Sequence, residues 1–313
     1  MKTPKRGAAV TKTLTVTSPH PMITPSNDKK RSRRLQSSPG MSASPQRPGT
    51  KPHPGVVTSG TGSTQAPFRV SLRSALNASD CMLCAADECC CQWFTALLEK
   101  AYAAISTKRV VSVAGKRDLC AKSILPPFIN RMINITNIKK GETFYDLGCG
   151  NGSVLFQMAY ETGCRCVGVE LSPHNAAVAR EAWAYMKPIL EKKAGRAMPS
   201  VEIITGDLGH FISSEDFVRD PCVVWTANLL MPKSLTHFMS ERFRALPVGS
   251  RILAFDDLYP HSRSVAMIRD PEAFEKFEMV DYVWQEMSVE WTAAEGKFYF
   301  YRRKEASKRQ PSP

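Results

Sequence analysis

From residue 126 onward, apolar runs of strand length alternate with stretches whose apolar positions recur every three or four residues. Thr143-Phe144-Tyr145 reads as a first strand, and Arg165-Cys166-Val167-Gly168-Val169-Glu170 as a second. Val201-Glu202-Ile203-Ile204-Thr205 is a third, and Pro221-Cys222-Val223-Val224-Trp225-Thr226 a fourth. Ser250-Arg251-Ile252-Leu253-Ala254-Phe255, after the Pro247-Val248-Gly249 turn, is a fifth. Ser153-Val154-Leu155-Phe156-Gln157-Met158 opens a helix behind the first strand. Residues 126–138 read as a helix leading into the sheet, and residues 233–245 as another with Leu235, Phe238, Met239 and Phe243 inward. Residues 278–284 and 298–301 complete an antiparallel hairpin at the sheet edge. Strands alternating with helices demand a mostly parallel sheet. Upstream, Phe94, Leu97, Leu98, Tyr102 and Ile105 fall at helical spacing and predict an amphipathic helix packed on the sheet domain. No internal repeat is evident.

The strand ends carry the candidate chemistry. Asp146-Leu147-Gly148-Cys149-Gly150-Asn151-Gly152 reads as strand, glycine turn and helix start. A loop at the C-terminal edge of a parallel strand is the usual ligand crevice of doubly wound folds. A dinucleotide turn would read GxGxxG, but Ser153 stands where the third glycine belongs, and Asp146 would face a pyrophosphate. An acid there suits a cationic ligand better. The pattern is similar to the first motif of the class I S-adenosyl-L-methionine methyltransferases, whose cofactor carries an amino group and a sulfonium. Glu170 lies about twenty residues past the glycines, the spacing at which a carboxylate binds a ribose hydroxyl pair. Asp207, before Leu208, can accept a hydrogen bond from an adenine amino group. Each acid alone reads more readily as a helix cap or solvated strand end; their recurrence in register favours one site. Cys149 reads as a plain turn residue, since nothing nearby completes a nucleophile pair.

Between Phe144 and Tyr301 the chain resembles the disruptor-of-telomeric-silencing histone lysine methyltransferases, the non-SET class acting on the nucleosome core. The features are Phe144-Tyr145-Asp146-Leu147-Gly148-Cys149-Gly150-Asn151-Gly152, then Val167-Gly168-Val169-Glu170, then Gly206-Asp207-Leu208. Val223-Val224-Trp225-Thr226-Ala227-Asn228-Leu229-Leu230-Met231 and Glu241-Arg242-Phe243 follow, and Val289-Glu290-Trp291-Thr292 with Phe298-Tyr299-Phe300-Tyr301 is the most family-specific part. The resemblance implies an α/β class I methyltransferase fold. That is a doubly wound, mostly parallel seven-stranded sheet with an antiparallel edge hairpin, preceded by a small helical region and a disordered basic tail. The boundaries expected are 1–66 for the tail, 67–125 for the helical region and lid, 126–304 for the methyltransferase domain and 305–313 for a basic C-terminal tail. It implies S-adenosylmethionine as cofactor, with Gly148, Gly150 and Gly152 shaping its turn, Asp146 at the methionine end, Glu170 at the ribose, Asp207 and Leu208 at the adenine, and Asn228 also among the cofactor contacts. It implies a lysine in the core of nucleosomal histone H3 as acceptor, Asn228, Trp291 and Tyr299 along its channel, and nuclear action. Two departures stand out. The family's Asn-Asn-Phe run is Ala227-Asn228-Leu229 here, and its lid with a Tyr-Gly-Glu-Thr core falls near Cys120-Ala121-Lys122-Ser123-Ile124-Leu125.

Composition adds a polarity along the chain. Residues 1–67 hold eleven Lys or Arg and one acid, Asp28, which is +10 of the net +13. That tract is rich in Pro, Ser, Thr and Gly, and cannot offset ordering entropy by burial, so disorder is expected. Lys29-Lys30-Arg31-Ser32-Arg33-Arg34 suits nuclear import or phosphate-backbone binding, or is simply solvated. Ser18-Pro19, Thr24-Pro25, Ser38-Pro39 and Ser44-Pro45 match proline-directed phosphorylation. Arg302-Arg303-Lys304 and Lys308-Arg309 form a second basic tract. No apolar run reaches membrane-spanning length, and ten cysteines without an export signal suggest a reducing compartment. Cys81-Met82-Leu83-Cys84 and Cys89-Cys90-Cys91 are spaced too closely for the usual zinc finger, so no metal is expected. Two other functions stay open: an RNA or other protein methyltransferase of the same fold, and a catalytically dead chromatin or nucleic-acid binding module. An amino-group DNA or RNA enzyme would want an Asn/Asp-Pro-Pro-aromatic loop after the fourth strand, which Asn228-Leu229-Leu230-Met231-Pro232 lacks.

Overall fold

The computed structural model describes residues 90–111, 120–260, 268–284 and 288–305. The expected tail with its basic cluster and Ser-Pro sites, the Cys81, Cys84 and Cys89 thiols, and Lys308-Arg309 lie outside the described residues. No helix among the described residues is long and apolar enough to cross a membrane.

Among the described residues, seven strands form one sheet in the order β3-β2-β1-β4-β5-β7-β6. They are β1 Thr143–Leu147, β2 Arg165–Glu170, β3 Val201–Thr205, β4 Cys222–Thr226, β5 Arg251–Ala254, β6 Phe277–Trp284 and β7 Gly296–Arg303. The first five pair in parallel, and β7 runs antiparallel to both β5 and β6. Four strands lie within a residue of the sequence reading; parallel strands covered on both faces are apolar throughout, as in β4, where all five residues are buried, while the edge strand β3 is only part-buried. The hairpin strands run longer than expected, with Gly296 opposite Trp284 at the turn end. A Cβ on Gly296 would stand 2.0 Å from the Trp284 ring, so only glycine admits that indole.

Helices cover both faces. On one side lie α1 Cys90–Ala104, α2 Pro126–Thr136, α3 Ser153–Thr162 and α4 Pro173–Ala194. On the other lie α5 Leu208–Ser213, α6 Lys233–Phe243 and α7 Pro271–Lys276. The two-residue period of the strands divides the core accordingly. Phe144, Val223, Trp225, Phe298 and Phe300 face the first set, while Tyr145, Val224, Ile252, Tyr299 and Tyr301 face the second.

Two local readings change. In α6 the inward face is Thr236, Met239, Ser240 and Phe243, and Phe238 is 40 % exposed. Positions 236, 239, 240 and 243 keep the i, i+3, i+4, i+7 spacing of one helical face, and Phe238 does not. In α1 the expected apolar stripe is buried except Tyr102, which is half-buried, and Cys91 on the same helix is enclosed with Asn130 donating to its Sγ.

Candidate functional site

Strand order reverses between β1 and β4, with β2 and β3 on one side and β5 on the other. Ligand crevices of open α/β sheets sit at such a switch point, beyond the C-terminal strand ends. A cavity of about 820 Å³ opens there. Its wall takes Gly148 after β1, Val169 and Glu170 from β2 with Leu171 after it, Asp207 and Leu208 after β3, and Ala227, Leu229, Leu230 and Met231 after β4. Phe255 after β5, Trp291, Cys120 and Lys122 close it.

The glycine loop is folded by its own main chain. Gly148 and Cys149 N–H groups donate to the Val169 carbonyl at 2.9 and 3.0 Å, and Gly152 N–H donates to the Cys149 carbonyl at 2.9 Å. Gly148 has φ +89°, and a Cβ there would stand 2.8 Å from the Met231 methyl group. Gly152 has φ +86° as N-cap of α3, and a Cβ there would meet the Phe156 ring at 2.4 Å. Positive φ is costly for any residue with a Cβ. Gly150 runs beneath Ala121.

Glu170 is buried, and its carboxylate is held from three directions. Oε2 accepts from Gly150 N–H at 2.8 Å; Oε1 accepts from Ser172 N–H at 2.9 Å and from Asn175 Nδ2 at 3.3 Å. The same turn starts α4, where Ser172 caps the helix by accepting from Asn175 N–H. Asp146 lies in β1 between Gly168 and Trp225 and is 2 % exposed. Burial first, and the charge of Glu170 second, push its pKa well above the usual carboxylate range. Among the described residues no hydrogen bond or ion pair reaches the Asp146 carboxyl. Burial also pushes the Cys149 thiol well up, which fits a turn residue and not a nucleophile. Asp207 caps α5, with Oδ1 accepting from Gly209 and His210 N–H groups. Among the described residues no group of three or more His, Cys, Asp or Glu could hold a metal.

The expected residues divide by place. Gly148, Glu170, Asp207, Leu208 and Trp291 line the cavity. Asp146 lies within β1, and Gly150 and Gly152 in the glycine loop; none of the three lines the cavity. Asn228 and Tyr299 do not line it. Asn228 is buried, with Nδ2 donating to the Asp256 carbonyl at 3.2 Å and Oδ1 accepting from Asp256 N–H at 2.8 Å. That amide fastens the end of β4 to the end of β5, so Asn228 holds the wall and does not form it. Tyr299 points to the second core cluster because its neighbours Phe298 and Phe300 take the first. Sequence reasoning missed Leu171 and Phe255, although each directly follows a strand end, the signal that found Glu170.

The segment 120–125 crosses the site as a strap. Ala121 accepts from Asn151 Nδ2 at 3.1 Å, and Ile124 bridges Val289 in antiparallel fashion. Leu125 N–H donates to Ser288 O at 3.0 Å, and Glu290 N–H donates to Ser123 O at 3.0 Å. Trp291 then packs edge-on against Phe255, ring centroids 5.5 Å apart.

Comparison with known proteins gives the site its setting. Residues 122–302 match the family described as histone methylation protein DOT1. A protein of Dictyostelium discoideum named histone-lysine N-methyltransferase, H3 lysine-79 specific, is 26 % identical over 54 % of this chain and 9 % of its own length. Proteins of the same name in Yarrowia lipolytica and Chaetomium globosum are 25 % and 28 % identical over 61 % and 62 % of this chain, and 40 % and 39 % of their own. The chain thus spans less than half the length of these curated relatives. Among solved structures, an RNA methyltransferase from Salinibacter ruber with S-adenosyl-L-homocysteine superposes at TM-score 0.39 and 20 % identity, covering 61 % of this chain and 99 % of that one. An O-methyltransferase from Bacillus cereus does so at TM-score 0.42 and 14 % identity, covering 67 % and 91 %. With the family's match running from the strap through all seven strands to the end of β7, the chain belongs to the DOT1 histone methylation family.

Proposed function

We propose that this chain is a lysine methyltransferase that uses S-adenosylmethionine to methylate the core of nucleosomal histone H3, at the lysine 79 for which its relatives are named. The observation that carries this reading is Asp146: a buried carboxyl beside Glu170 of the cavity wall and two residues before Gly148 of that wall, with no internal cation among the described residues. Such a group fits the amino end of a cationic cofactor. The rest of the wall fits as well. Glu170, immobilised by three donors, faces the cavity where a sugar hydroxyl pair can donate to it. Asp207 uses Oδ1 for its cap, which leaves Oδ2 to accept from an exocyclic amino group beside Leu171 and Leu208.

When bound, S-adenosylmethionine supplies an electrophilic methyl group on a positively charged sulfur. The chain's own residues bind, orient and exclude water. Lysine enters as an ammonium with a free pKa of about 10.4 and must be neutral to attack. Trp291 and Phe255 line the cavity with ring surface and disfavour the charged amine by desolvation. No dedicated strong base is required, and alignment of nitrogen, methyl and sulfur supplies much of the acceleration. The basic residues of 1–66 add affinity for nucleosomal DNA by counterion release, and the site of action is nuclear chromatin.

The test is incubation with radiolabelled S-adenosylmethionine and recombinant nucleosomes, free histones or RNA in parallel. Label on histone H3 within nucleosomes, lost when arginine replaces lysine 79, is the expected result. Label on RNA, or none with any acceptor, would refute the assignment.

A further inference from the structure

We propose that Arg109 and Glu290 are positioning residues for this cavity: the ion pair sets the strap 120–125 and the Trp291 turn as one piece. This rests on reading the cavity as the methyl-donor site.

Neither residue lines the cavity. Arg109 forms a two-pronged pair with Glu290, Nη2 to Oε2 at 2.8 Å and Nη1 to Oε1 at 3.2 Å. Arg109 Nη2 also donates to Ser123 Oγ at 2.7 Å, and Ser123 N–H donates to Glu290 Oε2 at 2.6 Å. Ser123 is therefore gripped through its hydroxyl and its main chain, and it sits beside Lys122 of the wall. Glu290 sits beside Trp291 of the same wall. The pair is part-buried, with the side chains 19 % and 24 % exposed, so solvent screens it less than a surface pair. Its planar fork cannot be reproduced by a lysine.

A second path runs from Arg109 to the glycine loop. The guanidinium lies over the Tyr102 ring, 4.8 Å from its centroid, and Tyr102 Oη donates to the Asn151 carbonyl at 3.0 Å. Burial pushes the Tyr102 pKa up, which keeps that hydroxyl a donor. Asn151 Nδ2 returns to the Ala121 carbonyl, closing the circuit on the strap. Glycine loop, strap and Trp291 turn meet at Arg109.

The experiment measures S-adenosylhomocysteine affinity by calorimetry on the full chain and on Arg109→Ala, Glu290→Ala, the double variant and Arg109→Lys. Nucleosome kinetics and melting without ligand are recorded alongside. Each single alanine should weaken binding by about tenfold and lower kcat more than it raises KM for nucleosomes. The double variant should lose no more than the worse single, because the residues act together. Arg109→Lys should recover part of the loss. Wild-type affinity in both single variants would overturn the proposal, as would fully additive losses. Collapse of the fold in Arg109→Lys as well would make the pair a stability element and equally overturn it. If the unaltered chain takes up no S-adenosylhomocysteine, the reading of the cavity itself falls, a result separable from failure of the variants alone.

Discussion

Replacing Glu170 by alanine tests how the cavity is built and what it holds. The carboxylate accepts from Gly150 and Ser172 main-chain N–H groups and from Asn175 Nδ2, inside a residue 6 % exposed. Alanine leaves those donors without an acceptor, and each buried donor left unpaired costs about 1–3 kcal/mol. Two main-chain donors alone put the loss at roughly 3 kcal/mol, allowing for partial rescue by water. For a domain of this size, that corresponds to a fall in Tm of about 10 °C. The Gly150 turn also loses its anchor, so affinity for the cofactor should fall beyond the loss of the ribose contact. Glu170→Gln separates the two effects. It keeps the volume and one acceptor oxygen but turns an NH2 group toward a donor, so it should melt between the parent and alanine. Scanning calorimetry of the ligand-free chain and titration with S-adenosylhomocysteine give both numbers. An alanine variant that melts within about 2 °C of the parent and binds as tightly would refute the reasoning.

Cofactor affinity should rise with pH through a range above that of an ordinary carboxylate. The free Asp146 pKa is raised by burial and by Glu170, and only the charged form holds a cation, so binding lowers that pKa and releases a proton; Asp146→Asn should abolish the proton release seen by titrating in buffers of different ionisation enthalpy. Gly152→Ala combines φ +86° with a Cβ 2.4 Å from Phe156, and should cost upwards of about 2 kcal/mol, read as a lowered midpoint in urea. Trp291→Ala removes an acceptor-side wall and its edge-on contact with Phe255; methylation of nucleosomes should drop well over tenfold while S-adenosylhomocysteine affinity changes by less than about threefold, and equal losses in both would count against the acceptor role. Removing residues 1–66 should weaken nucleosome binding and flatten its salt dependence, and an unchanged slope would rule out a role for that tract in DNA affinity.

How much of the molecule is legible in its sequence depends on separation along the chain. The inner parallel strands announce themselves as nearly unbroken apolar runs, and the order of acids at the strand ends puts Glu170 and Asp207 at the right edge of the sheet. The wall residues that follow strands, Leu171 and Phe255, obey the same rule but look like ordinary apolar residues. Side chains whose partners lie far along the chain are another matter. Asn228 is a sound candidate by type, yet its amide is taken by Asp256, and nothing local signals that. Arg109 and Glu290 stand 181 residues apart, with no periodicity to link them. Tyr299 is assignable by parity alone, since Phe298 and Phe300 are bound to share a face. The inward face of α6 escapes any reading that prefers large apolar residues to a regular spacing that includes Thr236 and Ser240.

The match to the DOT1 family starts at residue 122, but the molecule is moored further upstream. Glu181, on α4, accepts from the main-chain N–H and hydroxyl of both Ser106 and Thr107. Those bonds, the Thr107 hydroxyl foremost, draw its pKa down to about 2. A fragment trimmed to that family boundary would keep every strand and forfeit the rigging that ties this upstream segment to α4.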